Sequence, residues 1–264
     1  MPDGRGRRER RRLLIAPDRL HAGGGVVTLL ERERHYLRKV LRLRSGERCD
    51  VVDGAGHLWS ARLAADETLA LEPSLSEPRR TGTPPRPGLE LALAVPRRSF
   101  DEGLRMVVEL GLDRLTLLRA ERSVAAPGAI SDRWRLIVAE ACEQCERLWC
   151  PALEGIEPAC GVFETPPAAG ELRLLATTRR RLDGLMDVLR RRSGDGLVRV
   201  VLAVGPEGGW SPAEEARAEG AGWLPVSLSD QILRTPTAAV AAVAQLATWR
   251  DGLSSPCPAP SPSP

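Results

Sequence analysis

The run Val198–Val204 is rich in β-branched apolar residues and stops at Gly205-Pro-Glu-Gly-Gly209. Such a run reads as a strand buried on both faces of a sheet. Ser211 then supplies an N-cap, Pro212 a first-turn proline, and Glu214 completes a capping box, so a helix follows at once. A glycine-rich turn between a buried strand and a helix start lets backbone approach a ligand closely and offers free amides to acceptor groups. The alternative is a plain strand-to-helix turn with no ligand.

A second loop repeats this design. Trp223–Leu228 reads as a short buried strand, imperfect because of Pro225. The polar turn Ser229-Asp230-Gln231 and the segment Ile232–Thr235 lead into an alanine-rich helix over Pro236–Arg250, with Thr235 as N-cap and Pro236 as first helical residue. In a parallel α/β sheet, loops at the carboxyl ends of neighbouring strands converge on one crevice.

From Leu89 onward, strands alternate with helices. Strands are predicted over Leu89–Val95, Leu115–Leu118, Leu172–Ala176, Val198–Val204 and Trp223–Leu228. Helices are predicted over Ser99–Leu110, Ser131–Arg147, Arg181–Arg192 and Pro212–Ala221. This alternation predicts a parallel sheet covered by helices, an α/β fold. Before it, short alternating runs (Cys49–Val52, Leu58–Leu63, Thr68–Leu71) separated by Gly and Asp predict a small barrel, with a short helix over His35–Leu43. The chain therefore divides into a basic disordered arm (1–12), a barrel (13–75), a proline-rich linker (76–88), an α/β domain (89–252) and a disordered tail (253–264).

The net charge is only +3, but it is unevenly spread. Residues 1–87 hold 18 Lys and Arg against 12 Asp and Glu, while the remainder holds 20 against 23. Much of the excess lies in the arm Gly4–Arg12, which could track phosphates or simply solubilise the chain. Lys39 is the one lysine. No apolar run reaches the length of a membrane span, and the charged first residues are unlike a secretory signal, which predicts a cytoplasmic protein. Cys142, Cys145 and Cys150 fall around a predicted helix without a second well-spaced pair or nearby histidine, so they read as reduced thiols, and no metal is expected. His35 either faces RNA or caps its helix. The phosphate-loop lysine and the G-x-G-x-x-G fingerprint are both missing from the glycine-rich turn. Nine aromatics make base stacking on a sheet face an unpromising mode of RNA binding.

These loops also carry a family resemblance. The chain resembles the RsmE-type small-subunit rRNA (uracil-N3)-methyltransferases of the SPOUT superfamily, whose signature is GPEGG followed by Phe, Leu or Trp, then S-x-x-E, a strand and I-L-R-T-E-T-A. Similar blocks occur in order at His35–Arg42, Gly46–Gly54, Glu109–Leu112, Glu121–Ser123 and Glu140–Arg147. The resemblance implies a C-terminal SPOUT trefoil-knot domain that binds S-adenosyl-L-methionine, preceded by a small PUA-like β-barrel domain that contacts RNA. It further implies 16S rRNA as substrate and a homodimer formed through the knot. The small side chains of Ala238–Ala247 suit such a dimer and would equally suit an ordinary core helix. The chain departs from the family at Ser229 and Gln231, which replace the usual Gly and Arg, at Pro236 in place of Glu, and at Met106 in place of Lys.

Transferred residue by residue, the resemblance assigns cofactor binding to Thr177, Gly205, Pro206, Glu207, Gly208, Gly209, Leu228, Ser229, Ile232, Leu233, Thr235 and Ala238. It assigns RNA binding to Arg38, Lys39, Arg42, Arg122 and Arg147. The implied reaction moves an activated methyl group to uracil N3. The protein's part is chiefly alignment, and the target uridine must leave any base pair first. Arg234 is the candidate to hold RNA phosphate or polarise the uracil carbonyl; its alternative is a structural ion pair. Glu207 either accepts the N3 proton or caps backbone amides in its own turn. Two other readings stay open: a non-catalytic RNA-binding or ribosome-assembly factor that keeps the fold, and a knot methyltransferase with another RNA target.

Overall fold

The computed structural model describes residues 12–22, 24–124, 128–192, 194 and 196–254. The chain separates into two compact units, residues 1–84 with 139–150, and residues 85–138 with 151–264. Most of the arm read from the sequence lies outside the described residues.

The first unit begins with β1 (Arg12–Leu14), α1 (Pro17–Ala22), β2 (Val26–Thr28) and α2 (Glu31–His35), which runs into a π-helical turn at Tyr36–Val40. It continues with β3 (Arg48–Val52), β4 (His57–Leu63), β5 (Thr68–Glu72) and β6 (Arg80–Thr81). The strands form one sheet in the order β1-β3-β4-β5-β2, with β6 on β4; β1 and β3 are parallel and the other pairs antiparallel. Alternation sets its core: Val51, Trp59, Ala61, Leu63 and Leu69 point inward with Leu13, Ile15, Leu20 and Leu37.

Four expectations change here. Arg12, read as part of the arm, is the first residue of β1 and is 8% exposed, because its guanidinium pairs with the Glu146 carboxylate at 2.7 Å. His35 ends a helix rather than starting one. The segment read as a linker contains β6, and its last residue, Gly88, opens the next strand. Residues 139–150, read as part of the α/β domain, group with the first unit, where the Leu14 amide donates to Glu143 Oε1 at 2.8 Å.

The second unit contains β7 (Gly88–Ala94), α3 (Phe100–Glu109), β8 (Arg114–Arg119), the first half of α4 (Asp132–Gln144), β9 (Ala152–Pro158), α5 (Ala159–Glu164) and β10 (Glu171–Ala176). It ends with α6 (Leu185–Arg192), β11 (Arg199–Val204), α7 (Pro212–Gly220), β12 (Leu224–Val226) and α8 (Thr235–Ser254). All six strands are parallel, in the order β12-β10-β11-β7-β8-β9. Central β11 buries Val200, Leu202, Ala203 and Val204, as a strand flanked on both faces must.

The strand β9 and helix α5 were not anticipated. Ala-Leu-Glu-Gly-Ile-Glu-Pro is largely exposed along a sheet edge and has no apolar alternation to betray it. Phe163 of α5 is fully buried and meets Trp210 and Trp223 edge-on, each with ring centroids 5.2 Å away. One side of the small-residue stretch of α8 is spent inside the chain. Ala239, Ala242, Val243 and Leu246 are buried as α8 packs on α3, α6, β7 and β11, while Val240, Ala241 and Ala244 stay partly exposed. Of the expected tail, Leu253 and Ser254 close α8, and residues 255–264 lie outside the described residues.

Candidate active site

The carboxyl ends of β10, β11 and β12 open onto a crevice of about 1190 Å³. Every position expected to hold the cofactor lines it, from Thr177 after β10, through Gly205–Gly209 after β11, to Leu228–Ala238 after β12. Parallel topology produces this convergence: three neighbouring strands point the same way, so their following loops share one edge.

The Gly205–Gly209 turn is tied down from several directions. Its own closure is the Gly209 amide on the Pro206 carbonyl at 2.8 Å, with Gly209 at φ 68°, a conformation that suits glycine. A side chain at Gly205 would put its Cβ 3.0 Å from the Trp210 indole. Trp210 is buried, and its Nε1 donates to the Ala176 carbonyl at 3.0 Å, joining the turn to the end of β10. Thr235 Oγ1 donates to the Gly205 carbonyl at 3.1 Å, which links the two loops directly. The capping box read from the sequence is present: Ser211 and Glu214 exchange hydrogen bonds at 2.8 and 3.1 Å.

Glu214 does more than cap. Its other oxygen accepts the Glu121 amide at 2.9 Å, holding the loop after β8 against the start of α7. That loop carries Arg122, whose Nη1 donates to the carbonyls of Gly208 (3.2 Å) and Trp210 (3.0 Å). Glu207 accepts the Arg97 amide at 3.0 Å; it caps a backbone amide, but in the loop after β7 and not in its own turn. Its second oxygen makes no hydrogen bond among the described residues.

Arg234 is exposed at the crevice, and its guanidinium forms no ion pair or hydrogen bond among the described residues. The alternative of a structural ion pair is therefore not realised. Ile232, beside it, is 70% exposed. The departures Ser229 and Gln231 close their own turn: Ser227 Oγ donates to the Ser229 carbonyl at 3.0 Å, and Ser229 Oγ accepts the Gln231 amide at 3.1 Å. Pro236 sits in the first turn of α8, where its missing amide costs no hydrogen bond.

The remaining RNA candidates belong to the first unit. Arg38 and Lys39 lie on the π-helical turn, with Arg38 donating to the Leu43 carbonyl at 3.3 Å, and Arg42 is exposed with φ 55°. Arg147 donates to the Trp149 carbonyl at 3.0 Å. In the same segment, the sulfurs of Cys142 and Cys150 lie 3.7 Å apart. The Cys142 thiol lowers the pKa of Cys150 by hydrogen bonding, while its own is raised. Among the described residues, no group of His, Cys, Asp or Glu is arranged to hold a metal, and no helix is long and apolar enough to cross a membrane.

Sequence reasoning missed Glu215, Arg179 and Arg181, which also line the crevice. Glu215 accepts a hydrogen bond from Thr177 Oγ1. Only the Arg-Arg-Arg run itself could have signalled the arginines.

A six-stranded parallel sheet with its crevice at the carboxyl edge, preceded along the chain by a small mixed-sheet unit, is the arrangement of a SPOUT, or trefoil-knot, RNA methyltransferase with a PUA-like N-terminal domain, and the matches to known families and structures assign the chain to that class. The RNA methyltransferase domain model matches residues 84–247, and the RNA methyltransferase PUA domain model matches residues 29–71. The chain belongs to the ribosomal RNA small subunit methyltransferase E family. It is 38% identical over 240 residues to the Synechocystis enzyme of that name, covering 89% of this chain and 76% of that one. It is 30% identical over 246 residues to the Mycobacterium tuberculosis enzyme, covering 88% and 89% respectively. Among solved structures, it is similar to ribosomal RNA small subunit methyltransferase E from Neisseria gonorrhoeae bound to S-adenosyl methionine. That pair has a TM-score of 0.74 and 29% identity, over 90% of this chain and 97% of that one. A probable rRNA-methyltransferase from Porphyromonas gingivalis is similar with a TM-score of 0.76 and 25% identity, over 92% and 99%.

Proposed function

We propose that this chain methylates N3 of a specific uridine in 16S ribosomal RNA, using S-adenosyl-L-methionine. The observation that carries this reading is the meeting of two motif loops in one crevice with an unpaired arginine, Arg234, at their junction. The residues present fit the cofactor: glycine-lined backbone that a Cβ at Gly205 would obstruct, and a floor of the buried Thr177, Thr235 and Ala238. When bound, the cofactor supplies a methyl group already activated on a sulfonium. The protein's work is to align it with N3, exclude water and take care of the N3 proton.

Gly205–Gly209 and Leu228–Ala238 hold the cofactor largely through backbone. Arg234 steadies the uracil carbonyl as negative charge develops on the ring, or grips the neighbouring phosphate. The oxygen of Glu207 that Arg97 leaves free serves as acceptor for the N3 proton. Arg122 braces the turn from the far side, and Arg38, Lys39, Arg42 and Arg147 add RNA contacts. The enzyme acts in the cytoplasm, with small ribosomal subunits as the natural substrate. A homodimer through the knot domain completes this reading.

The test is transfer of tritiated methyl from S-adenosyl-L-methionine to small subunits from a strain lacking this gene, followed by nucleoside analysis. Label in 3-methyluridine is the expected result. Cofactor binding without label would point to another RNA target. Folded protein that binds RNA but not cofactor would make it a non-catalytic assembly factor.

A further inference from the structure

The loop leaving β10 carries three consecutive arginines, Arg179, Arg180 and Arg181, all lining the crevice and all exposed. They are not equivalent. Arg180 is committed to α7: its guanidinium meets Glu219 at 2.5 and 3.4 Å and Glu215 at 3.6 Å. Glu215 is in turn fastened to Thr177 at the start of the same loop. The middle arginine thus staples the loop to the helix, and its two neighbours have no ion pair or hydrogen bond among the described residues. Arg179 has φ 62°, a left-handed conformation in which a non-glycine residue is uncommon and carries a modest strain. Glycine or asparagine would be easier there, so an arginine at this position carries a cost in the backbone.

The other charges around the crevice are mostly occupied. Asp183 pairs with Arg191 and Glu215 with Arg180. Asp230 and Glu207 are the lining carboxylates without an ion pair among the described residues, Glu207 accepting only the neutral Arg97 amide. Against these two stand Arg179, Arg181 and Arg234, with the Arg122 guanidinium resting on two carbonyls. Uncommitted positive charge therefore exceeds negative, and it lies at the exposed mouth, whereas Thr177, Thr235 and Ala238 form a buried floor. One cofactor carboxylate on that floor would not use this many guanidinium groups at the mouth. Forked guanidinium donors in a solvated rim suit phosphodiester oxygens.

We propose that Arg179 and Arg181 form a phosphate-binding rim that grips the RNA backbone flanking the target nucleotide, with Arg180 and Glu219 as the staple that presents them. The proposal rests on the reading of the chain as an RNA methyltransferase and adds to it the residues that admit the strand. Neither arginine is asked to take part in chemistry.

The experiment compares the full-length protein with Arg179→Ala/Arg181→Ala, measuring binding to an unmodified 16S rRNA transcript across a salt series and binding of S-adenosyl-L-methionine alone. Loss of two contacts to single-stranded backbone should reduce the slope of log affinity against log salt by about 1.4, and weaken binding on the order of tenfold at moderate salt. Cofactor affinity should not move. Arg179→Gly removes one side chain while easing the backbone; it should give half the change in slope with no fall in unfolding midpoint.

An unchanged slope and affinity would overturn the proposal, as would a loss confined to cofactor binding, which would identify the anion as the cofactor carboxylate. An equal loss in the charge-matched Arg190→Ala/Arg192→Ala variant, altered on α6 away from the crevice, would also overturn it. Wild-type protein that fails to methylate but shows the rim-dependent slope would sink the proposed reaction and leave the rim standing. Normal methylation with an unaltered slope in the variant would do the reverse.

Discussion

Gly205–Gly209 is fastened by residues far from it in the chain, Arg97, Arg122 and Thr235, and by Trp210 packed against Gly205, whereas Leu228–Arg234 is held by its neighbours in sequence. Ser227 Oγ meets the Ser229 carbonyl, and the Gln231 amide meets Ser229 Oγ. From the helix that follows, the Ala238 amide meets the Arg234 carbonyl at 2.8 Å and the Gln245 amide the Leu228 carbonyl at 3.2 Å; Ile232 and Arg234 stay in solvent. The contrast separates two jobs that one crevice must do. A cofactor that returns in the same form each cycle is best met by a prearranged turn, because ordering that turn has already been accounted for in folding. In the proposed reading the second loop shares the cofactor and in addition presents Arg234, a side chain without a completed bond among the described residues, to an RNA substrate that brings its own shape.

The sharpest way to break this comparison is Trp210→Ala. Losing a buried indole that packs on Phe163 and bonds to the Ala176 carbonyl should cost about 3–5 kcal/mol in chemical denaturation, and cofactor binding should fall with it. A cost below about 1 kcal/mol would mean that the turn is not anchored through the core. Arg234→Ala probes the opposite loop. It should lower kcat roughly 10²-fold, about 2.7 kcal/mol in the transition state, while the unfolding midpoint stays where it was. A shifted midpoint would return Arg234 to a structural role.

Gly205→Ala should follow with a smaller effect, because its Cβ would stand 3.0 Å from the Trp210 indole and the ring must give way. Overpacking of this kind costs roughly 1–3 kcal/mol, and calorimetric titration with S-adenosyl-L-methionine should show weakened binding.

The smallest effect lies outside both loops and serves as a control on pH. Burial pushes the Glu143 carboxyl from its ordinary 4.5 up to about 7, with the Leu14 amide offsetting part of that rise. Between those values the folded chain keeps a proton that the unfolded chain gives up. Its contribution is therefore whole below about pH 4.5 and lost as pH rises through about 7. Stability of Glu143→Gln relative to wild type should rise between pH 5 and 8 by roughly 1–2 kcal/mol, read from urea midpoints. A pH-independent difference would mean that Glu143 is ionised throughout.

Much of the crevice was legible in the linear chain because its parts are local. A buried apolar run, a glycine-rich turn and a capping box occupy consecutive residues, and each follows from steric and hydrogen-bonding rules that act over a few positions. The same rules placed β3, β4 and β5 within a residue of their observed ends. They failed at β9, where an exposed edge strand carries no periodic signal, and at Arg12, whose burial depends on Glu146 far along the chain.

By itself, then, the sequence determined the α/β alternation, the two loops at strand ends and the chemistry their side chains can offer, since all of these arise from short-range geometry. The tertiary structure alone decided that Trp210 belongs to the core, that Ala239, Ala242, Val243 and Leu246 are the side of α8 that packs within the chain, and that Glu207 reaches the Arg97 amide. It also decided which arginine of the Arg179–Arg181 run is tied down and which two are free to bind. A guanidinium's role depends on whether a carboxylate stands within reach, and that is a property of residues distant in sequence and adjacent in space.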